Sequence, residues 1–376
     1  THKGDIASES RAAVAGGITS FMEMPNTLPP TTTLARLREK LRIAGRTSFG
    51  NYAFYLGGAN DNVEEVKRLL PTEVCGVKVF MGASTGNMLV DDPDGLEQIF
   101  THSPVIVAAH CEHSPTIAEN TRRYQAVHGE DIPMALHPAI RSDSACYRST
   151  ALAVELARRC HTRLHVLHLS TAGELALFAA MPLESKRITA EACVHHLLFS
   201  ADDYHDKGTL IKCNPAIKSE TDRRQLLVGL KEGTIDVVGT DHAPHTLAEK
   251  QQPYLKAPSG IPLVQHALIS LLEHVHDGIL TLEEVVQKTA HAPARLFDVK
   301  ERGFIREGYW ADLVLVDLKR PTVVDDQPIH YHCGWTPFAG RTFRSSIAAV
   351  FVNGHPAFVD GNIDPAPAGM RLEFDR

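Results

Sequence analysis

Seven short apolar, strand-like runs separated by helical stretches occupy the first 240 residues, and this alternation constrains the fold more than any other feature of the chain. The runs fall at 18–24, 52–56, 76–81, 105–110, 164–169, 188–193 and 235–240, with helical patterns such as 4–16, 34–44, 63–70, 144–159 and 222–232 between them. Strand, helix, strand repeated this often predicts a parallel sheet, because parallel neighbours need a crossover long enough to hold a helix. At 376 residues the chain is long enough to close that sheet into a (β/α)8 TIM barrel. A barrel takes eight strands and seven are legible. Since the chain opens inside a helical pattern, strand one is expected upstream of Thr1. An open doubly wound sheet is the alternative, but no G-x-G-x-x-G follows an early strand.

Beyond the last run come helical patterns at 263–276 and 282–290, then strand-like runs at 311–317 and 347–352 with Asn353-Gly354 supplying a turn. This predicts a catalytic barrel over residues 1–300 and part of a small β domain over 301–376, its remainder expected from the same upstream segment. A net charge of -7 with no block of like charge makes nucleic acid an unexpected partner. No apolar run reaches the roughly 20 residues of a membrane span, so no membrane partner is expected either. The seven cysteines are odd in number and show no C-x-x-C pair, which points to a reducing, cytoplasmic setting.

In a parallel barrel the C-terminal strand ends converge on one mouth, so polar residues there deserve a chemical reading. Lys78 sits inside the apolar run Val77-Lys78-Val79-Phe80, where burial disfavours its ammonium form; the neutral amine is able to take up CO2 as a carbamate. A lysine snorkelling from an edge strand would look the same in sequence. His110 ends its run, and an imidazole there fits a metal ligand as well as a satisfied core histidine. His165 and His168 lie three apart, so side-chain alternation is expected to turn only one inward; His168, nearer the strand end, is the candidate ligand and His165 the structural residue. Asp241 follows the last run, where a carboxylate is suited to holding a metal and shuttling a proton, though aspartate also caps turns. Two imidazoles, a carboxylate and a buried lysine at four strand ends point to a two-metal hydrolytic site, best suited to zinc, with manganese or iron as the alternatives.

These strand ends resemble the amidohydrolase superfamily. The strings Thr1-His2-Lys3-Gly4-Asp5, Met24-Pro25-Asn26-Thr27 and Asp241-His242-Ala243-Pro244-His245 are similar to those of the dihydroorotase family, over essentially the whole chain. The stretch 76–86 resembles members with a carboxylated lysine, and 303–317 resembles the family's closing β-sandwich motif. The resemblance implies a barrel of the metal-dependent hydrolase type acting in pyrimidine synthesis. Lys78 would bridge two zinc ions, with His110 and His168 on one and Asp241 on the other. It implies a His-x-His pair and a substrate-binding arginine before Thr1, and His2, in the later segment, does not replace them. Asn26 and His245 would grip a substrate carboxylate, Asn214 would contact the ring, and Ser259 and Gly260 would line the pocket through their backbone; each also reads as a turn residue. The implied partner is a small-molecule substrate, with a homodimer as the assembly. Hydantoinase or allantoinase chemistry and a catalytically silent homologue remain the alternatives. The 376 residues as they stand are expected to bind metal weakly and turn over little.

Overall fold

The computed structural model describes residues 1–82 and 88–376. Each of the seven runs holds a strand. β1 (Ser20–Glu23) pairs in parallel with β2 (Asn51–Phe54). The same run continues past Tyr55, whose N–H donates to Glu23 O, as β3 (Leu56–Gly57), which pairs in parallel with β4 (Val77–Phe80). β5 (Val107–His110), β6 (Leu164–Val166), β7 (Ile188–Cys193) and β8 (Val237–Gly239) then follow side by side in chain order, so the wall is that of a TIM barrel with its strands in sequence. β4 and β5 are buried along their length, whereas β1 and β8, the two edges among the described residues, are half-buried.

The outward residues of the strands, such as Val77, Val79, Val107, Leu164 and Ala190, pack under the helices in one large core. Local chemistry sets the helix starts. Asp5 and Ser8 form a capping box for Ile6–Ala15, Thr33 caps Leu34–Thr47, and Ser219 with Asp222 boxes Glu220–Glu232, which ends on Gly233 in the left-handed region. These match the expected helices to within a few residues.

The C-terminal part holds a small pair, β10 (Thr322–Val323) against β11 (Thr342–Phe343), and an antiparallel sheet. That sheet runs β9 (Leu313–Asp317), β12 (Ser346–Val352), β13 (His355–Val359) and β14 (Asn362–Ile363). Asn353 and Gly354 both take positive φ at the β12–β13 turn, as the Asn-Gly pair predicts. Val350, Val352 and Phe358 pack on Val14 and Ala15 of the first helix. The chain then returns to the barrel: Leu372 N donates to Tyr52 O and Tyr52 N to Met370 O, while Leu372 and Phe374 join Tyr55, Ile106 and Phe297 in a cluster under the sheet. No helix among the described residues is long and apolar enough to cross a membrane.

Candidate active site

Lys78 lies on β4 with 2% of its surface exposed. Burial pushes its amine down to about 8, opposed by the Asp241 carboxylate. Asp241 follows β8 at φ 46°, partly exposed; burial lifts its carboxyl to about 7, with Lys78 opposing and Glu191 adding. The charge of each group is thus felt by the other. His110 closes β5, and its Nδ1 lies 3.0 Å from His168 Nε2. Burial lowers both imidazoles; the Glu112 carboxylate opposes this at His110, His110 adds to it at His168, and the charge of Lys78 lowers both. His110 and His168 thus meet at the C-terminal ends of β5 and β6, and Lys78 and Asp241 lie on and after β4 and β8 of the same wall.

Side-chain alternation does not separate His168 from His165. Register partners in a parallel sheet point to one face, and Lys78, Ala108, His165 and Thr189 form one such row, so His165 faces inward as Lys78 does. The strand stops at Val166 and His168 takes φ 39°, so alternation does not extend to it. His165 Nδ1 pairs with Thr189 Oγ1 at 2.9 Å and its ring packs edge-on against Phe297.

The spacing of the two imidazoles is compatible with a shared cation. Two nitrogens on one tetrahedral zinc lie roughly 3.3 Å apart, given Zn–N bonds of about 2.0–2.1 Å, and the 3.0 Å between His110 and His168 is close to that. His110 Nε2 stands 3.0 Å from Glu112 Oε2, which fixes the tautomer and leaves the Nδ1 lone pair facing His168 Nε2. His168 Nδ1 is buried without a partner.

Of the residues expected to hold substrate, His245 uses both ring nitrogens, Nδ1 accepting from Lys3 Nζ at 2.8 Å and Nε2 donating to Ser259 O at 3.2 Å. Burial and the neighbouring Lys3 lower it to about 4. Gly260 donates its N–H to Lys212 O and gives its carbonyl to Lys250 Nζ, so its contribution is the shape of the loop. At φ 146° it approaches Ala243 so closely that a Cβ would fall 2.5 Å from Ala243 O. Asn214 Oδ1 is buried and unpartnered, while Asn26 is exposed beyond β1. Ser84, Thr85 and Gly86 of the segment after Lys78 lie outside the described residues.

Several residues around the donors carried no sequence assignment. Glu112, fully buried, bonds to His110 and to Arg141; burial works against its charge, yet those partners hold its carboxyl down to about 2. Its spacing two residues after His110 was the available signal; Arg141, 29 residues on, offered none. His242, next to Asp241, faces Glu9 Oε2 at 2.6 Å and accepts from Leu263 N, so the turn bearing Asp241 is anchored to the first helix. A further buried group, His195, His196 and Cys213, brings three donor atoms within 4.8 Å of one another.

A parallel barrel whose strand ends gather imidazoles, a buried amine and a carboxylate is the arrangement of a hydrolase that works at a barrel mouth, and the chain belongs to the amidohydrolase family, whose model matches residues 2–357. Within that family it is a cyclic amide hydrolase of the dihydroorotase type. It is 35% identical over 343 residues to a dihydroorotase of Halobacterium salinarum, covering 90% of this chain and 78% of that protein. It is 30% identical over 379 residues to an allantoinase of Streptomyces avermitilis, covering 99% and 83%. Among solved structures, an L-hydantoinase (dihydropyrimidinase) from Arthrobacter aurescens superposes with a TM-score of 0.93 at 28% identity, covering 99% of this chain and 84% of that one.

Proposed function

We propose that this protein interconverts L-dihydroorotate and N-carbamoyl-L-aspartate, a step of pyrimidine synthesis, with Lys78, His110, His168 and Asp241 as its metal-binding residues. The observation that carries the reading is the convergence of those four side chains at one mouth, each perturbed by its neighbours. Lys78 would bridge two zinc ions as its carbamate, His110 and His168 would hold one and Asp241 the other. When bound, such ions supply an activated water and polarise the ring carbonyl. The protein's own groups do the rest. The buried Lys78 amine bonds to the carbon of CO2 and releases one N–H proton to solvent. Asp241 takes up a proton as the reaction begins and delivers it to the departing ring nitrogen. Asn26, Asn214 and His245 contact the substrate, Lys3 adds positive charge beside His245, and Ser259 and Gly260 shape the pocket. Residues 1–300 carry the catalysis and 301–376 a small β domain. A homodimer in the cytoplasm completes the proposal, in keeping with seven free cysteines.

Fold likeness alone does not choose among cyclic amides, and the hydantoinase and allantoinase relatives favour a second reading on those substrates. A panel of dihydroorotate, allantoin and hydantoin decides between them. Whatever the absolute rate, kcat/KM is expected to favour dihydroorotate by at least about 100-fold, since a site built for a charged group rejects analogues lacking it. Equal or better turnover of a neutral ureide would overturn the assignment. Lys78→Ala is expected to lose both zinc ions; an unchanged zinc content would remove the bridging role.

A further inference from the structure

Buried polar atoms without partners are rare, and each one left unpaired is destabilising. Five of them cluster on four residues beside the mouth: His168 Nδ1, both nitrogens of His195, His196 Nδ1 and Asn214 Oδ1. The proposed chemistry employs His168 and Asn214. His195 and His196, in the turn after β7, have no part in it, yet they are 1% and 2% exposed. Their rings lie 4.1 Å apart between centroids, and one nitrogen of each stands within 4.8 Å of the other's and of Cys213 Sγ. His196 Nε2 donates to Pro215 O at 3.1 Å, which fixes its tautomer and leaves Nδ1 with the lone pair. Burial lowers both imidazoles, so they are neutral and able to ligate. Cys213 Sγ lies 3.2 Å from the same Pro215 carbonyl, which is itself an oxygen donor at the edge of the cluster.

We propose that His195, His196 and Cys213 form a separate single-ion site for a zinc-class cation, distinct from the two-metal centre. Two imidazoles and a thiolate make a donor set that zinc favours over the hard, oxygen-seeking ions. Binding forms a metal–sulfur bond as the Cys213 thiol proton leaves to solvent. The donors need to close by on the order of 1 Å, because zinc holds nitrogen and sulfur ligands roughly 3.3–3.7 Å apart. Burial, with the Asp241 carboxylate adding, pushes the Cys213 thiol up to about 12, so the bond to the cation has to offset the loss of its proton. Such an ion would tie the turn after β7 to the segment 213–215 and thereby fix Asn214 at the mouth. Bound water is the competing occupant of the orphaned nitrogens.

Cobalt substitution distinguishes the two. Lys78, His110, His168 and Asp241 offer no sulfur, so a thiolate-to-cobalt charge-transfer band in the near ultraviolet can come from the two-metal centre only if that centre is misassigned. The band is expected in the wild-type protein and in Lys78→Met, and expected to vanish in Cys213→Ser. That variant is expected to hold one cation fewer by elemental analysis and to bind cobalt at this site more than about 100-fold more weakly, beyond what loss of an outer partner alone produces. A wild-type protein with no such band, or a band and metal count unchanged in Cys213→Ser, would leave the nitrogens to water and end the proposal. Failure of the two-metal reading shows separately, as equal metal content in wild type and Lys78→Met.

Discussion

Replacing Glu112 by glutamine removes one charge and almost no volume, and its consequences follow from the pairings of that side chain. Glu112 is fully buried between His110 Nε2, at 3.0 Å, and the guanidinium of Arg141. Its carboxyl stands at about 2 in the fold against 4.5 for a free glutamate. A folded pKa below the unfolded one means stability that is fully present above about pH 4.5 and is lost as pH falls from there towards 2. At 1.36 kcal/mol per unit this amounts to about 3 kcal/mol, in line with the roughly 3–5 kcal/mol that follows when one partner of a buried ion pair is removed. Glu112→Gln is therefore expected to lower stability at pH 7 by about 3 kcal/mol, measured as a shift in the urea midpoint. The difference from wild type should shrink steadily as the titration is carried below pH 4.5. Because Glu112 also fixes the tautomer of His110, zinc affinity should drop by roughly 10–100-fold. A variant within about 1 kcal/mol of wild type at pH 7, or one whose stability keeps the wild-type slope below pH 4.5, would refute the reasoning.

Glu9→Gln weakens the 2.6 Å contact to His242 and frees the turn that holds Asp241 at positive φ; kcat is expected to decrease on the order of 10-fold with KM nearly unchanged, and an unaltered kcat in steady-state assays would deny the coupling. Lys250 is fully buried and caps the carbonyls of Lys212, Pro258 and Gly260 at 2.8, 3.0 and 2.8 Å. Lys250→Met leaves those three oxygens without their donor, so a loss of about 2–3 kcal/mol by denaturant titration is expected, with KM rising more than kcat falls as the 258–260 loop loosens. A KM equal to wild type would show that the loop keeps its shape without the ammonium.

The parallel wall was legible because the strand runs are short and apolar and helical patterns separate most of them, several with side-chain caps; the donors were legible because His110, His168 and Asp241 stand at or past a strand end and Lys78 interrupts an apolar run. What escaped was set by tertiary contact. The helix Ser114–His128 buries none of its residues, so it carries no apolar stripe to read. The break after Val166 depends on a positive φ at His168 that no residue type announces. Arg141 and Glu9 reach the site from 29 and 233 residues away from their partners, a distance over which spacing holds no information.

The return of residues 370–372 to β2 bears on how the molecule is made. Tyr52 exchanges backbone hydrogen bonds with a segment more than 300 positions later, and Leu372 and Phe374 complete the packing beneath the sheet. During synthesis the early strands therefore wait, their underside open, while the rest of the barrel and the antiparallel sheet emerge. Closing so long a loop is slow and leaves apolar surface uncovered meanwhile. Substitutions at Leu372 or Phe374 should accordingly reduce the yield of folded protein before they alter anything at the catalytic end.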